Sequence, residues 1–272
     1  MQTVFRVPVN IERPRALVLV HAAAELCAGG LVLLPTETVY GIGVAVKAFA
    51  GSDAATASMP PSHSGYGRIF SLKQRSLQQT VPWLVSGAQD LDVYGVNVDP
   101  RARALAQAFW PGALTIVVQA SAAVPTFMQA SDGTVALRAS ASPVIQGLIN
   151  VSHSPLAVTS ANTHGCPAPS SFDEVEPVIL AGVDMAIDAG ATPCHEASTI
   201  VSFETGEPVI LREGALSSEQ IMSCCARVCT PNTTTHAPRA AQIHAPASQS
   251  HASSTSVIGT TASPSISIDT SR

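Results

Sequence analysis

The chain changes character at Cys229. Beyond it, residues 230–272 read TPNTTTHAPRAAQIHAPASQSHASSTSVIGTTASPSISIDTSR, with no leucine and no aromatic side chain. A stretch this rich in Ser, Thr, Ala and Pro cannot bury enough apolar surface to offset the entropy of ordering its backbone. A disordered tail is expected there, and the folding problem falls on residues 1–229 as one domain. The tail also explains part of a low charge content. Charged residues are 12% of the 272, against about 25% in an average globular protein.

Within residues 1–229 two hydrophobic periods alternate. Residues 14–29, 100–109 and 143–150 carry helical spacing, and Ser217 is placed to cap a last helix over 217–223. Short apolar runs at 31–35, 114–119, 134–138, 156–159, 185–188, 199–203 and 208–212 read as strands, and 172–180 as partly helical, limited by Pro177. The pattern predicts an α/β domain built on a twisted mixed sheet. Residues 47–67 (KAFAGSDAATASMPPSHSGYG) read as an inserted mobile loop.

Net charge is −5, and the only lysines are Lys47 and Lys73. No polybasic arm is present to grip nucleic acid. No apolar run reaches the length of a membrane span. The N-terminal MQTVFRVPVNIERPR places Arg and Glu where a secretory leader needs an apolar stretch, so a reduced, cytoplasmic protein is expected. Of the six cysteines, Cys224, Cys225 and Cys229 form C-C-x-x-x-C. Without a second pair or histidines this reads as buried thiols rather than a zinc site, and no metal site is assigned.

Polar residues collect where strands end. PTETVYGIG (Pro35 to Gly43) follows a buried strand, and Gly41 and Gly43 permit close approach of a ligand, or simply make a turn. Lys73 and Arg75, one residue apart, share a side if the segment is extended, which suits a phosphate chain, although such a pair taken alone is more often solvated surface. Arg138 ends the apolar TVALR, where it needs a ligand anion or an internal carboxylate. Thr159-Ser160-Ala161-Asn162 follows LAVT and is either an anion-binding turn or an Asx/ST turn. Ser170 and Ser171 precede a helical stretch, which they cap or aim at an anion. FWPGALT (Phe109 to Thr115), EAST (Glu196 to Thr199) and LREGA (Leu211 to Ala215) complete the series.

In this order the segments resemble those of the YrdC-type threonylcarbamoyl-AMP synthases: P-T-E-T-V-Y-G-L-G, K-x-R, W-P-G-P-L-T, T-V-x-V-R, S-A-N-x-x-G-x-P-S-P-T, E-S-T and L-R-x-G. The resemblance implies an α/β domain around a concave ligand cavity. It implies a nucleotidyltransferase that makes threonylcarbamoyl-AMP and pyrophosphate from L-threonine, bicarbonate and ATP. Mg2+ would arrive with ATP. The product would serve tRNA modification at adenosine 37, with tRNA and a downstream threonylcarbamoyl transferase complex as further partners. Carried over by motif, Thr38, Arg138, Ser160 and Ser198 would hold threonine. Lys73, Arg75, Gln79, Thr134, Asn162, Ser170 and Arg212 would hold ATP, with Lys73 and Arg75 at the chemistry.

The family pattern also has a proline after K-x-R, then N-P-L and a histidine. Here Gln79 stands at the asparagine and Leu84 at the histidine. Either threonine binding lacks one partner, or His63 folds back to supply an imidazole. Two other readings compete. A non-catalytic relative binding double-stranded RNA is disfavoured by the scarcity of lysine. A carbamoyl-transfer module of hydrogenase maturation would bring an acylphosphatase domain and cysteine pairs, which are absent from this sequence.

Overall fold

The computed structural model describes residues 5–51, 57–61, 63–76 and 79–229. The expected disordered tail over 230–272 lies outside the described residues. Ten strands form one mixed sheet: β1 (Phe5–Pro8), β2 (Val32–Pro35), β3 (Tyr40–Ala45), β4 (Trp83–Leu84), β5 (Leu114–Gln119), β6 (Thr134–Arg138), β7 (Leu156–Ser160), β8 (Met185–Asp188), β9 (Thr199–Ser202) and β10 (Val209–Arg212). Their order is β1-β8-β2-β3-β7-β4-β6-β5-β9-β10. The helices are α1 (Ala16–Cys27), α2 (Gly65–Lys73), α3 (Asp90–Tyr94), α4 (Pro100–Phe109), α5 (Pro143–Ser152), α6 (Pro177–Gly182) and α7 (Ser218–Cys229).

Local chemistry sets the helix starts. Asp99 caps α4, its carboxylate accepting from Arg101 N at 2.7 Å, and Pro100 takes the first turn, where no amide hydrogen is needed. Ser217 and Gln220 make a reciprocal box at α7: Gln220 N donates to Ser217 Oγ (3.3 Å) and Ser217 N to Gln220 Oε1 (2.9 Å). Two apolar layers sandwich the sheet. Leu19, Leu26, Val32, Leu34, Ile145 and Leu148 join α1 and α5 to one face. Tyr66, Ile69, Leu105, Ile116 and Ile221 fill the other. Cys224 and Cys225 are buried in that second layer, as thiols packed against the domain.

Several expectations need correction. PTETVYGIG makes a turn and then continues into a strand: β3 returns antiparallel to β2, with Pro35 opposite Tyr40. Its glycines also serve strand packing, and Gly41 lines the cavity described below. A Cβ on Gly41 would fall 2.5 Å from Val158 Cγ1, and one on Gly43 would fall 2.7 Å from Ala157 O, both on β7. The segment 47–67 is not one loop, since Val46–Phe49 form a 3-10 turn and α2 starts at Gly65. Lys73 and Arg75 do not sit on an extended segment. Lys73 ends α2, Gln74 takes the left-handed cap (φ 52°), and Arg75 N reaches back to Phe70 O at 3.1 Å. Strand β4 and helix α3 are too short to register as periodic, and β1 and β3 lie outside the expected strands.

Candidate functional site

A cavity of about 140 Å3 opens where the β2–β3 turn meets the ends of β6 and β7 and the β9–β10 edge. Its polar wall carries Thr38, Arg138, Thr159, Ser160, Ser198 and Arg212; its apolar wall includes Leu84, Val158 and Ile200. All four residues expected to hold threonine, and Arg212 from the ATP set, therefore converge on one space. They come from segments more than 170 positions apart.

Arg138 is the best-buried cation in that wall, at 6% exposure. Its Nη2 donates to Glu37 Oε1 (2.7 Å) and Thr38 Oγ1 (3.1 Å), and its Nε to Gly112 O (3.0 Å). Of the two readings open for this arginine, the internal ion pair is present, and the side chain also lines the cavity. Burial alone would raise the Glu37 carboxyl. The Arg138 charge and hydrogen bonds from Ser140 and the Ala141 amide outweigh it, and Glu37 is held below the ordinary carboxyl range. Thr38 has one hydroxyl proton to place. The Thr36 hydroxyl already donates to Val39 O (2.7 Å), so in the 2.8 Å Thr36–Thr38 contact Thr38 is the donor. Toward the cavity, Thr38 Oγ1 is left an acceptor.

Lys73, 3% exposed, lies behind this rim. Its ammonium donates to Ser160 O (2.5 Å), Asn162 O (2.6 Å) and Asn162 Oδ1 (3.2 Å), tying the C-terminus of α2 to the turn after β7. Burial lowers its pKa to about 8; Arg75 adds to the shift and Glu176 opposes it. Asn162 continues the tie, its Nδ2 donating to Thr163 O (3.0 Å) and Cys166 O (2.6 Å). Arg75 donates to Thr159 Oγ1 (3.2 Å), Gln79 O (2.7 Å) and Thr80 O (2.5 Å), over the Phe70 ring. Arg212 spends Nε and Nη2 on Ser198, at 3.1 and 2.7 Å from its carbonyl oxygen. Burial lowers its pKa, as does the charge of Arg138. Ser198 Oγ pairs with Thr115 Oγ1 at 2.9 Å.

Of the seven residues expected to hold ATP only Arg212 lines the cavity; Lys73, Arg75 and Asn162 stand behind its rim, and Thr134, Ser170 and Gln79 turn elsewhere. Thr134 starts β6, four residues or roughly 13 Å of strand from Arg138, and its hydroxyl donates to Asp132 Oδ1 (2.7 Å). Ser170 turns its amide and hydroxyl to Glu174 Oε2, at 2.7 and 3.0 Å. That contact ties down the turn ahead of a 3-10 segment instead of presenting a helix N-terminus. Gln79 is exposed and reaches Arg75 only through its carbonyl. His63 does not replace the family histidine. It is exposed beyond the N-terminal end of α2, about 13 Å of helix from Lys73. Leu84 does reach the cavity, beside Arg138 in the β4–β6 register. Sequence reasoning missed Glu37 and Ser140 as site residues. The signal for Glu37 was an acid buried in a strand turn with one buried arginine to neutralise it.

A model of the Sua5/YciO/YrdC family, described as "Telomere recombination", matches residues 24–214. A threonylcarbamoyl-AMP synthase of Pyrococcus abyssi is 32% identical over 200 residues, covering 74% of this chain and 55% of its own length. One from Xanthomonas campestris is 29% identical over 196 residues, covering 71% of this chain and 95% of its own. The chain thus spans about half of the longer relative and nearly all of the shorter. The crystal structure of P. abyssi Sua5 complexed with L-threonine superposes with a TM-score of 0.70 at 31% identity, over 82% of this chain and 61% of that one. E. coli YciO shares the fold, with a TM-score of 0.67 at 20% identity over 81% of this chain and 99% of that one.

Proposed function

Because the chain belongs to the Sua5/YciO/YrdC family, we propose that it is a nucleotidyltransferase that makes threonylcarbamoyl-AMP and pyrophosphate from L-threonine, bicarbonate and ATP. The observation that carries this reading is the convergence of Thr38, Arg138, Ser160, Ser198 and Arg212 on one cavity. It is supported by the synthases of similar sequence and by the threonine complex of a related structure.

The residue chemistry suits the reaction. Arg138 pairs the amino-acid carboxylate, and Thr38, an acceptor toward the cavity, takes a hydrogen from the amine. The amine attacks CO2 with loss of a proton, or bicarbonate with loss of water, and the new carbamate oxygen attacks the α-phosphorus while pyrophosphate leaves. Alignment and charge neutralisation are what such a displacement requires of the protein. Arg212 lies at the cavity for the phosphate side, with Lys73 and Arg75 behind the Thr159–Asn162 rim. Mg2+ belongs to the MgATP substrate. Glu37 is already committed to Arg138 and Ser140, so the ion would be held chiefly by phosphate oxygens and water and would neutralise phosphate charge. The product would be handed to a threonylcarbamoyl transferase complex for tRNA, in the cytoplasm. No helix among the described residues is long and apolar enough to cross a membrane. The test is pyrophosphate release from ATP by purified protein. It should require both threonine and bicarbonate, and turnover that needs neither defeats the proposal.

A further inference from the structure

Arg138 has five N–H bonds, and three are accounted for inside the protein. Gly112 O takes the Nε hydrogen, while Glu37 and Thr38 take those of Nη2. Among the described residues no hydrogen bond uses Nη1, although Arg138 lines the cavity. Glu37 is bound just as completely on the other side. Oε1 accepts from Arg138, Oε2 from the Ser140 hydroxyl, and the Ala141 amide also donates to the carboxylate. Ser140 is itself fully buried and accepts from Ser142 N at 3.2 Å. The carboxylate therefore has one orientation, and it gives Arg138 one orientation.

Charge makes the same point. Two guanidinium groups, Arg138 and Arg212, line the cavity, and Arg138 has the one carboxylate paired to it among the described residues. Arg212 spends its bound edge on a neutral serine. Arg212 keeps its charge for the phosphate side, and Arg138 enters the cavity already paired with Glu37.

We propose that Glu37 is a positioning residue for the amino-acid substrate: by holding Nη2 of Arg138 in one orientation, it turns Nη1 toward the substrate carboxylate. This rests on reading the cavity as the amino-acid site. Glu37 acts through Arg138 and not on the reacting atoms.

The experiment is a double-mutant cycle on the full chain, with steady-state pyrophosphate release and direct threonine titration. E37Q keeps the shape and removes the charge. It should raise KM for threonine tenfold or more and leave KM for ATP within twofold. In an R138Q background the same change should alter kcat/KM for threonine less than twofold, because the group it acts through is gone. S140A, which removes only the hydroxyl that fixes Oε2, should show the same pattern at about threefold and serves if E37Q does not fold. Equal effects of E37Q or S140A with and without Arg138, or parallel rises in both KM values, overturn the assignment. Wild-type protein that binds threonine while E37Q is unaffected overturns Glu37 alone. Wild-type protein that binds no threonine overturns the functional reading as well.

Discussion

Replacing Lys73 by Met tests how the rim of the cavity is held. The ammonium sits 3% exposed and donates to Ser160 O, Asn162 O and Asn162 Oδ1. Met fills the volume and supplies no donor, so two main-chain carbonyls lose a partner at about 1–3 kcal/mol each. Relief from burying a charge offsets part of that, leaving a loss of about 3 kcal/mol. For a domain of this size each kcal/mol is worth roughly 2–4 °C, so the melting temperature should fall by roughly 6–12 °C at pH 7. A pH series then separates the cage from the charge. The folded pKa is about 8 against 10.5 for an ordinary lysine. Between those values the unfolded chain binds a proton that the folded one has released. Wild-type stability therefore rises with pH across that window relative to K73M. Thermal melts of both proteins from pH 7 to 10.5 are the assay. A melting loss under about 2 °C at pH 7 refutes the carbonyl cage. A difference between the two proteins that stays flat or narrows through the window refutes the burial argument.

Arg138→Ala should weaken threonine binding by about 1.5–3 kcal/mol, the range for hydrogen bonds to charged groups, while Arg75→Ala should weaken ATP more than threonine. Calorimetric titration of each variant decides, and equal effects on both ligands reject the division. Leu84→His adds one donor beside Arg138 and should tighten threonine about two- to twelve-fold, as a hydrogen bond of about 0.5–1.5 kcal/mol would. His63→Ala should leave threonine affinity unchanged, and a measurable loss there would mean that His63 reaches the site. Thiol labelling of the native protein should modify the exposed Cys166 and Cys194 quickly and the buried Cys224 slowly. Rapid uptake at Cys224 would show that α7 is loosely packed.

The long elements were legible because their periods are long. Helices α1, α4 and α5 and strands β5 and β6 each repeat an apolar pattern often enough to stand out. β4 is two residues, Trp83 and Leu84, and no alternation is readable at that length. Lys73 was misplaced for a different reason. G-Y-G-R-I-F-S-L-K begins with two glycines in its first three positions, poor helix formers overruled here by burial of Tyr66, Ile69 and Phe70. The threonine set was readable through the motif resemblance, whose members sit in the β2–β3 turn (Thr38), at the ends of β6 and β7 (Arg138, Ser160) and just before β9 (Ser198). Thr134 carried the same kind of signal but spends its hydroxyl on Asp132, two positions away. Sequence pattern alone does not distinguish a hydroxyl facing a cavity from one facing its own turn.

The order of the sheet bears on how this chain comes off the ribosome. The cavity draws on Thr36 near the start and on Arg212 close to the end of the described domain. β2, from the first quarter of the sequence, cannot gain its parallel neighbour β8 until residue 185 has been made. Pairings so distant in sequence form slowly. A nascent chain therefore carries β2 and β3, apolar and unpaired on one side each, until β7 and β8 have been made. No truncated product ending before β10 can hold both arginines of the site.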